Sequence, residues 1–190
     1  MALMRRPSPV GLAVLLAALA TAGCARETSG PPPATPAGPQ AAKLDWVEPT
    51  PVDAPALVFE VRSFAITEDG WRAAVAIRNE SEIEWGVLAE GLPASFGVML
   101  FATGELGELE RRNAERDLPG LRPAHTFEPA LPGRLAPGES WEGTMEAPGS
   151  LAAQRWLRVV FGPLVADGDP PEGLPGHLVW ITDNTYRLRP

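Results

Sequence analysis

Apolar and polar side chains alternate with a period of two along residues 71–78. The apolar face holds Trp71, Val75 and Ile77, and the polar face holds Arg72 and Arg78. Successive side chains of a β-strand point to opposite faces, so the pattern predicts a strand buried on one side. The preceding run Leu57–Ile66 is rich in Val, Phe and Ile and predicts a second strand. Because Glu68-Asp69-Gly70 is a turn sequence, the two strands are expected to form a hairpin.

Further short apolar runs follow this hairpin. They are Ile83–Trp85, Ser95–Ala102, Trp141–Glu146, Trp156–Val165 and His177–Thr182. The most apolar, Trp156–Val165, is expected to be a central strand. Between the runs, Pro137-Gly138 predicts a type II turn, because Pro presets φ at the first central position and Gly accepts positive φ at the second. Short strands at this spacing predict an all-β sandwich of about seven strands.

Polar and proline-rich stretches interrupt the runs. Gly104–Asp117 interleaves Glu with Arg, which predicts exposed helical turns or a polar hairpin tip and a solvated surface, not an acid–base pair. Leu118–Pro132 predicts a long ordered loop and is our first candidate for a recognition surface, since such loops often carry function. Ser150–Gln154 predicts one capped helical turn. Asn79-Glu80-Ser81 matches the N-glycosylation pattern but is interpreted as a turn.

The first 23 residues have the pattern of an export signal. Arg5 and Arg6 form a positive start, and Val10–Ala20 is an unbroken run of small apolar residues. That run is too short to span a hydrocarbon core of ~30 Å as a helix, so a secretory signal is expected over residues 1–23.

Two outcomes are open at the end of this signal. Ala20-Thr21-Ala22 is a small-residue cleavage site that would release a secreted protein. Thr21-Ala22-Gly23-Cys24 resembles the lipobox of bacterial lipoproteins, although Thr21 departs from the usual Leu. The resemblance implies that Cys24 is lipidated and holds the protein on the extracytoplasmic side of a membrane. Cys24 is the single cysteine of the chain, and lipidation would explain an exported thiol that has no disulfide partner.

Residues 24–43 are rich in proline and lack large apolar side chains. Such a segment cannot offset the entropy of ordering and is expected to form an extended tether. The remaining residues, 44–190, are expected to form one domain.

The formal charge of −8 narrows the set of partners. An acidic domain repels phosphate backbones, which argues against nucleic-acid binding, and the net charge also argues against a polybasic grip on anionic lipid. No disulfide is possible with one cysteine, so the core alone must stabilise the domain.

The strand end Val75-Ala76-Ile77-Arg78-Asn79 and the turn Leu135-Ala136-Pro137-Gly138-Glu139 resemble those of small immunoglobulin-like domains in bacterial surface lipoproteins. The resemblance covers about Leu57–Thr182. It implies an immunoglobulin-like antiparallel sandwich with a binding or scaffolding role, and it transfers no catalytic residues.

No catalytic, metal or cofactor site is expected from the remaining residues. His125 and His177 are the only histidines and lie too far apart in sequence to suggest a local metal motif. Neither a G-x-S-x-G nucleophile motif nor a glycine-rich phosphate loop occurs.

Four residues are candidates for binding. Trp46 and Trp85 are flanked by acidic residues and are expected to be exposed, whereas the other four Trp residues are expected in the core. His125 and Phe127 belong to the candidate recognition loop. The leading hypothesis is a non-enzymatic lipoprotein that binds another envelope protein. The alternative is a carbohydrate or cell-wall binding module that uses the exposed Trp residues.

Overall fold

Two antiparallel β-sheets pack face to face in the computed structural model, which describes residues 34–87 and 95–190. The all-β sandwich expected from the sequence is confirmed. The expected signal peptide and Cys24 lie outside the described residues.

The first sheet has five strands. They are β1 Gln40–Thr50, β2 Leu57–Ile66, β3 Gly70–Asn79, β7 Thr126–Glu128 and β9 Ser140–Pro148. Their order across the sheet is β1-β2-β3-β9-β7. The hairpin between β2 and β3 is confirmed, with Leu57 opposite Asn79 and Ile66 opposite Trp71.

The second sheet has seven strands. They are β4 Glu84–Val87, β5 Gly97–Phe101, β6 Arg122–Pro123, β8 Arg134–Leu135, β10 Trp156–Asp167, β11 His177–Ile181 and β12 Tyr186–Arg187. Val160 on β10 pairs with Gly97 of β5 and also with Ile181 of β11, so neighbours flank both edges of β10. The expected central position of this apolar strand is confirmed.

The core lies between the sheets and is rich in aromatic side chains. Phe59 of the first sheet and Phe161 of the second have ring centroids 5.1 Å apart. A register shift in β2 between Val61 and Ser63 changes the phase of the strand, so that the inward residues are Val61 and then Phe64. The bulge therefore keeps apolar residues facing inward along the whole strand.

One helix, α1 Leu106–Glu115, covers part of the outer side of the second sheet. Its buried Leu109 packs with Met99, Phe101 and Val160. The exposed helical turns expected within Gly104–Asp117 are present, because Glu110, Arg111 and Glu115 face solvent while Leu109 provides the contact of the helix with the sheet.

The ordered chain begins earlier than the sequence indicated. The tether was expected to extend to Lys43, but β1 begins at Gln40 and its residues 40–43 pair with β2. Ala37 is also buried, and its amide donates a 2.7 Å hydrogen bond to the carbonyl of Leu151. Pairing of backbone groups orders this segment without large apolar side chains, which the composition alone did not reveal.

Two connections and the number of strands differ from their expected form. Residues 150–154 form a turn and not a helical turn, with Ala152 bridged to Pro36 and Gln154 at φ 59. The loop expected over residues 118–132 contains β6 and β7, one in each sheet. The described ranges contain twelve strands where about seven were expected, because several two- and three-residue strands lie in connections.

Candidate functional site

Trp85 is fully buried, so the expectation that it is exposed was wrong. Its indole Nε1 donates to Ser81 Oγ at 3.1 Å, and Ser81 Oγ donates in turn to the side-chain Oδ1 of Asn79 at 2.6 Å. Asn79 Nδ2 donates to the backbone carbonyls of Ile83 at 2.7 Å and Leu135 at 3.0 Å. The Asn79-Glu80-Ser81 sequence is therefore a turn in which Asn79 and Ser81 are buried and Glu80 is exposed, and the side-chain amide of Asn79 is already engaged.

The other candidate binding residues differ in exposure. Trp46 is half-buried against the core and was also wrongly expected to be exposed. Phe127 is half-buried and makes edge contacts with Phe96 and Trp141, at centroid distances of 5.8 and 6.3 Å. His125 is exposed, and its amide donates to the carbonyl of Glu146 at 2.7 Å. Of these four residues, only His125 presents an exposed side chain.

His125 lies on the rim of a groove across the outer side of the first sheet. A depression of about 310 Å³ beside it is lined by Asp69, Arg72 and Glu146. A neighbouring depression of about 530 Å³ shares Arg72 and Glu146 and extends to Lys43 at the sheet edge. The two depressions therefore form one open groove that reaches β1, β2, β3 and β9.

The floor of this groove consists of small side chains that the sheet register places side by side. Ala65 lies opposite both Ala41 and Arg72, while Ser63 and Thr144 both lie opposite Ala74. The name small-residue face is used here for the outward residues Ala41, Ser63, Ala65, Ala74 and Thr144. It exposes backbone and short side chains where an outer sheet surface usually carries long polar ones.

Charges distinguish the small-residue face from the other end of the same sheet. At that other end, Glu60 pairs with Arg62 at 3.3 Å and with Arg78 at 3.4 Å, and Arg62 also pairs with Glu142. In contrast, the described residues provide no ion pair for Arg72 or Glu146. Both side chains are exposed, so they are available to a partner.

No known protein family, curated protein or solved structure matches this chain. Within residues 34–87 and 95–190, no cluster of His, Cys, Asp and Glu is suited to holding a metal ion. The helix of the described ranges is too short and too polar to cross a membrane.

A buried charged network lies on the other side of the molecule. Arg158 of β10 is buried below α1 and donates to the carbonyls of Thr182 and Asp183, both at 2.6 Å, and to that of Glu105 at 3.0 Å. Its guanidinium lies 5.3 Å from the ring centre of Phe101, while its Nε has no hydrogen-bond partner in the described structure. These bonds tie the start of α1 to the loop after β11.

The electrostatics of this network follow from burial. Burial lowers the pKa of the Arg158 guanidinium, and the charges of Asp183, Glu48 and Glu108 oppose that change. Burial also raises the pKa of Asp183; Glu48 adds to the increase, whereas Arg158 opposes it. Because the hydrogen bonds of Arg158 go to backbone carbonyls, the network holds chain segments together.

The sequence contains one local sign of the groove. The outward positions of β3 are Arg72, Ala74, Ala76 and Arg78, so small residues interrupt its polar face. A polar face of this kind was interpreted only as solvent-exposed. Recognition of the groove also requires β1 and β9, whose register with β3 cannot be read from the sequence.

Proposed function

We propose that this protein is an exported, non-enzymatic lipoprotein anchored through Cys24, whose sandwich binds another extracytoplasmic protein on the small-residue face. The observation that carries the proposal is the open groove with a floor of small side chains and unpaired charges of both signs. The signal pattern and the lipobox resemblance of residues 21–24 support the location.

The dimensions of the groove favour a protein partner. Neighbouring strands lie about 4.8 Å apart, so the floor from β1 to β9 is roughly 14 Å wide. An α-helix with its side chains is about 10–12 Å across and would fit against such a floor. Small-molecule sites, in comparison, are concave pockets that enclose most of the ligand.

Electrostatic complementarity would orient the partner. Arg72 and Glu146 lie opposite each other in the register and are exposed in the groove without an ion pair among the described residues. Lys43 lies at the groove edge and is paired with Asp45 at 2.9 Å. Unpaired charges at the rim of an interface mainly determine specificity and the association rate. The expected partner segment therefore carries small or apolar residues for the floor and charges of both signs for the rim.

The carbohydrate alternative depended on exposed indole rings at Trp46 and Trp85. Trp85 has no exposed surface, and Trp46 packs against the core. A stacking platform for a sugar requires an accessible aromatic face, so these positions no longer favour that alternative.

Site-specific photo-cross-linking tests the proposal. A photoreactive amino acid at Ala74 in the membrane-resident protein is expected to capture one protein partner near stoichiometry. The matched control is the same amino acid at Val179, which is exposed on the outer side of the second sheet. Ala65→Arg, which places a long charged side chain on the groove floor, is expected to abolish the Ala74 product, whereas Val179→Arg is expected to leave it unchanged.

Other results would overturn the proposal. Identical products from Ala74 and Val179 would show that capture does not depend on the groove. A glycan in place of a protein would favour wall binding. Melting curves of the Ala65→Arg and Val179→Arg proteins establish that both variants are folded.

A further inference from the structure

Four exposed arginines lie in or beside the turn formed by residues 152–155. They are Arg122, Arg155, Arg187 and Arg189. None of them forms an ion pair with another described residue. We call this surface the arginine face.

Two depressions flank the turn. The first, of about 520 Å³, is lined by Arg122 and Arg155, by Arg112, and by apolar residues that include Leu100 and Leu121. Arg112 is neutralised by Glu108 and Asp117, both at 3.1 Å. The second depression, of about 540 Å³, is lined by Arg187 and Arg189. The two depressions adjoin, because the amide of Leu188 in the second depression donates a 2.9 Å hydrogen bond to the carbonyl of Arg155 in the first.

The charge of the arginine face is opposite to that of the whole chain. No Asp or Glu of the described residues lines either depression, although the chain has a formal charge of −8. At the other end of the sandwich, a depression of about 390 Å³ is lined by Glu80, Glu82 and Asp169 and by no basic residue of the described ranges. The domain is therefore electrically polarised, which the net charge conceals.

We propose that the arginine face docks on an anionic phospholipid surface and orients the domain on its membrane. Exposed arginines without ion-pair partners complement lipid phosphates, and long Arg side chains suit the boundary between apolar and polar layers. Arg187 also lies over the ring of Trp156, with its guanidinium 5.9 Å from the ring centre. The position of the first described residue supports this orientation, because Ala34 lines the same depression as Arg122 and Arg155.

The length of chain between Cys24 and the arginine face is also compatible with docking on the membrane. Nine residues lie between Cys24 and Ala34, which makes ten Cα–Cα steps. A fully extended chain spans at most about 3.6 Å per residue, so the arginine face lies within roughly 36 Å of Cys24. The inference rests on the proposed anchorage, but it does not depend on the protein partner.

The test uses the full chain with Cys24→Ser, which cannot be acylated and has no other cysteine. A polarity-sensitive fluorophore is attached at Gly120→Cys beside the arginine face or, as the matched control, at Gly176→Cys. A Cβ at either glycine meets nothing within 4 Å. The carbonyl of Gly176 accepts a hydrogen bond from the Ala166 amide near the far end of β10, roughly 35 Å along the strand direction from Arg155.

Vesicles of phosphatidylglycerol and phosphatidylethanolamine are compared with phosphatidylcholine vesicles, each with brominated chains as quenchers. Quenching is expected at Gly120 on the anionic vesicles and not at Gly176. Each arginine near an anionic surface contributes roughly fivefold in affinity, so Arg122→Gln with Arg155→Gln is expected to weaken this binding about 25-fold. High salt is expected to abolish it.

Several outcomes would overturn the inference. Equal quenching at both positions would show unoriented binding through residues 1–23, which all variants share. Quenching on neutral vesicles, or quenching that survives the Arg→Gln changes, would exclude a role for the arginines. The photo-cross-link at Ala74 is measured in a separate experiment. Failure of the protein-binding proposal would therefore not affect the interpretation of the vesicle experiment.

Discussion

The indole Nε1 of Trp180 donates a 2.8 Å hydrogen bond to Oε2 of Glu48, although 132 residues separate them. Glu48 belongs to β1 and Trp180 to β11, so the bond joins an edge strand of one sheet to the other sheet. The same carboxylate accepts bonds of 2.9 Å from the amides of Asp183 and Asn184 and of 2.8 Å from Asn184 Nδ2. One buried acid thus closes this side of the sandwich.

Replacement of Glu48 is expected to destabilise the domain strongly. Glu48→Ala leaves the half-buried indole of Trp180 and two backbone amides without their acceptor, and the free energy of unfolding should decrease by about 2–4 kcal/mol. Urea denaturation measures the change. Asp53→Ala, at an exposed acid, is the control and should alter stability by less than about 0.5 kcal/mol. Equal effects of the two changes would contradict a structural role for Glu48.

Asn79→Asp tests the buried turn that holds Trp85. The change keeps the shape of the side chain but directs a carboxylate oxygen at the carbonyls of Ile83 and Leu135, which now accept from Nδ2. Burial of an unpaired charge should lower the free energy of unfolding by about 3 kcal/mol or more at pH 7. The loss should diminish in acid, where the new carboxyl is protonated.

Thermal denaturation at pH 7 and at pH 4 measures this effect. The control is the same chemical change at exposed Asn113, where less than about 1 kcal/mol is expected. A stable Asn79→Asp protein would show that the turn does not require the amide donor.

Glu108 is expected to make stability depend on acid pH. Burial by itself would raise the pKa of Glu108, but hydrogen bonds from Thr103, Arg112 and Ala102 outweigh it and lower the pKa from 4.5 to about 2. A carboxyl with a lowered folded-state pKa stabilises the fold above its ordinary pKa. That contribution is lost as the pH falls from about 4.5 towards 2.

Glu108→Gln should therefore be less stable than the parent protein at pH 7, and the difference should shrink between about pH 4.5 and pH 2. Denaturant titrations across this range measure it. Glu110→Gln, on an exposed side of the same helix, should follow the parent curve. A constant difference between the Glu108→Gln protein and its parent at all pH values would refute the assignment.

The candidate site was only partly predictable from the sequence. His125 was identified because it lies in a long polar loop, and it does line the groove. Trp85 was misjudged because its acidic neighbours suggested exposure. Its burial depends on Asn79, which binds the carbonyl of Leu135 from 56 residues away. Contacts at that distance leave no local pattern in the chain.

The sequence by itself determined most of the strands of four or more residues, β1 excepted, and which side of the β2–β3 hairpin is apolar. Alternation of side chains is a property of the extended backbone, so the hairpin of β2 and β3 and the apolar strand β10 could be recognised locally. Only the tertiary structure decided which strands share a sheet. The turn at Pro137-Gly138 has the expected bond from the Glu139 amide to the Ala136 carbonyl, yet the strands on either side join different sheets.

The small-residue face and the arginine face have the same origin. The first combines β1, β2, β3 and β9, and the second combines residues from Arg122 to Arg189. Strand pairing is selected by packing of the whole core, whose free energy is shared among many distant residues. Local periodicity contains no record of that selection, and for this reason both surfaces became visible only in the folded chain.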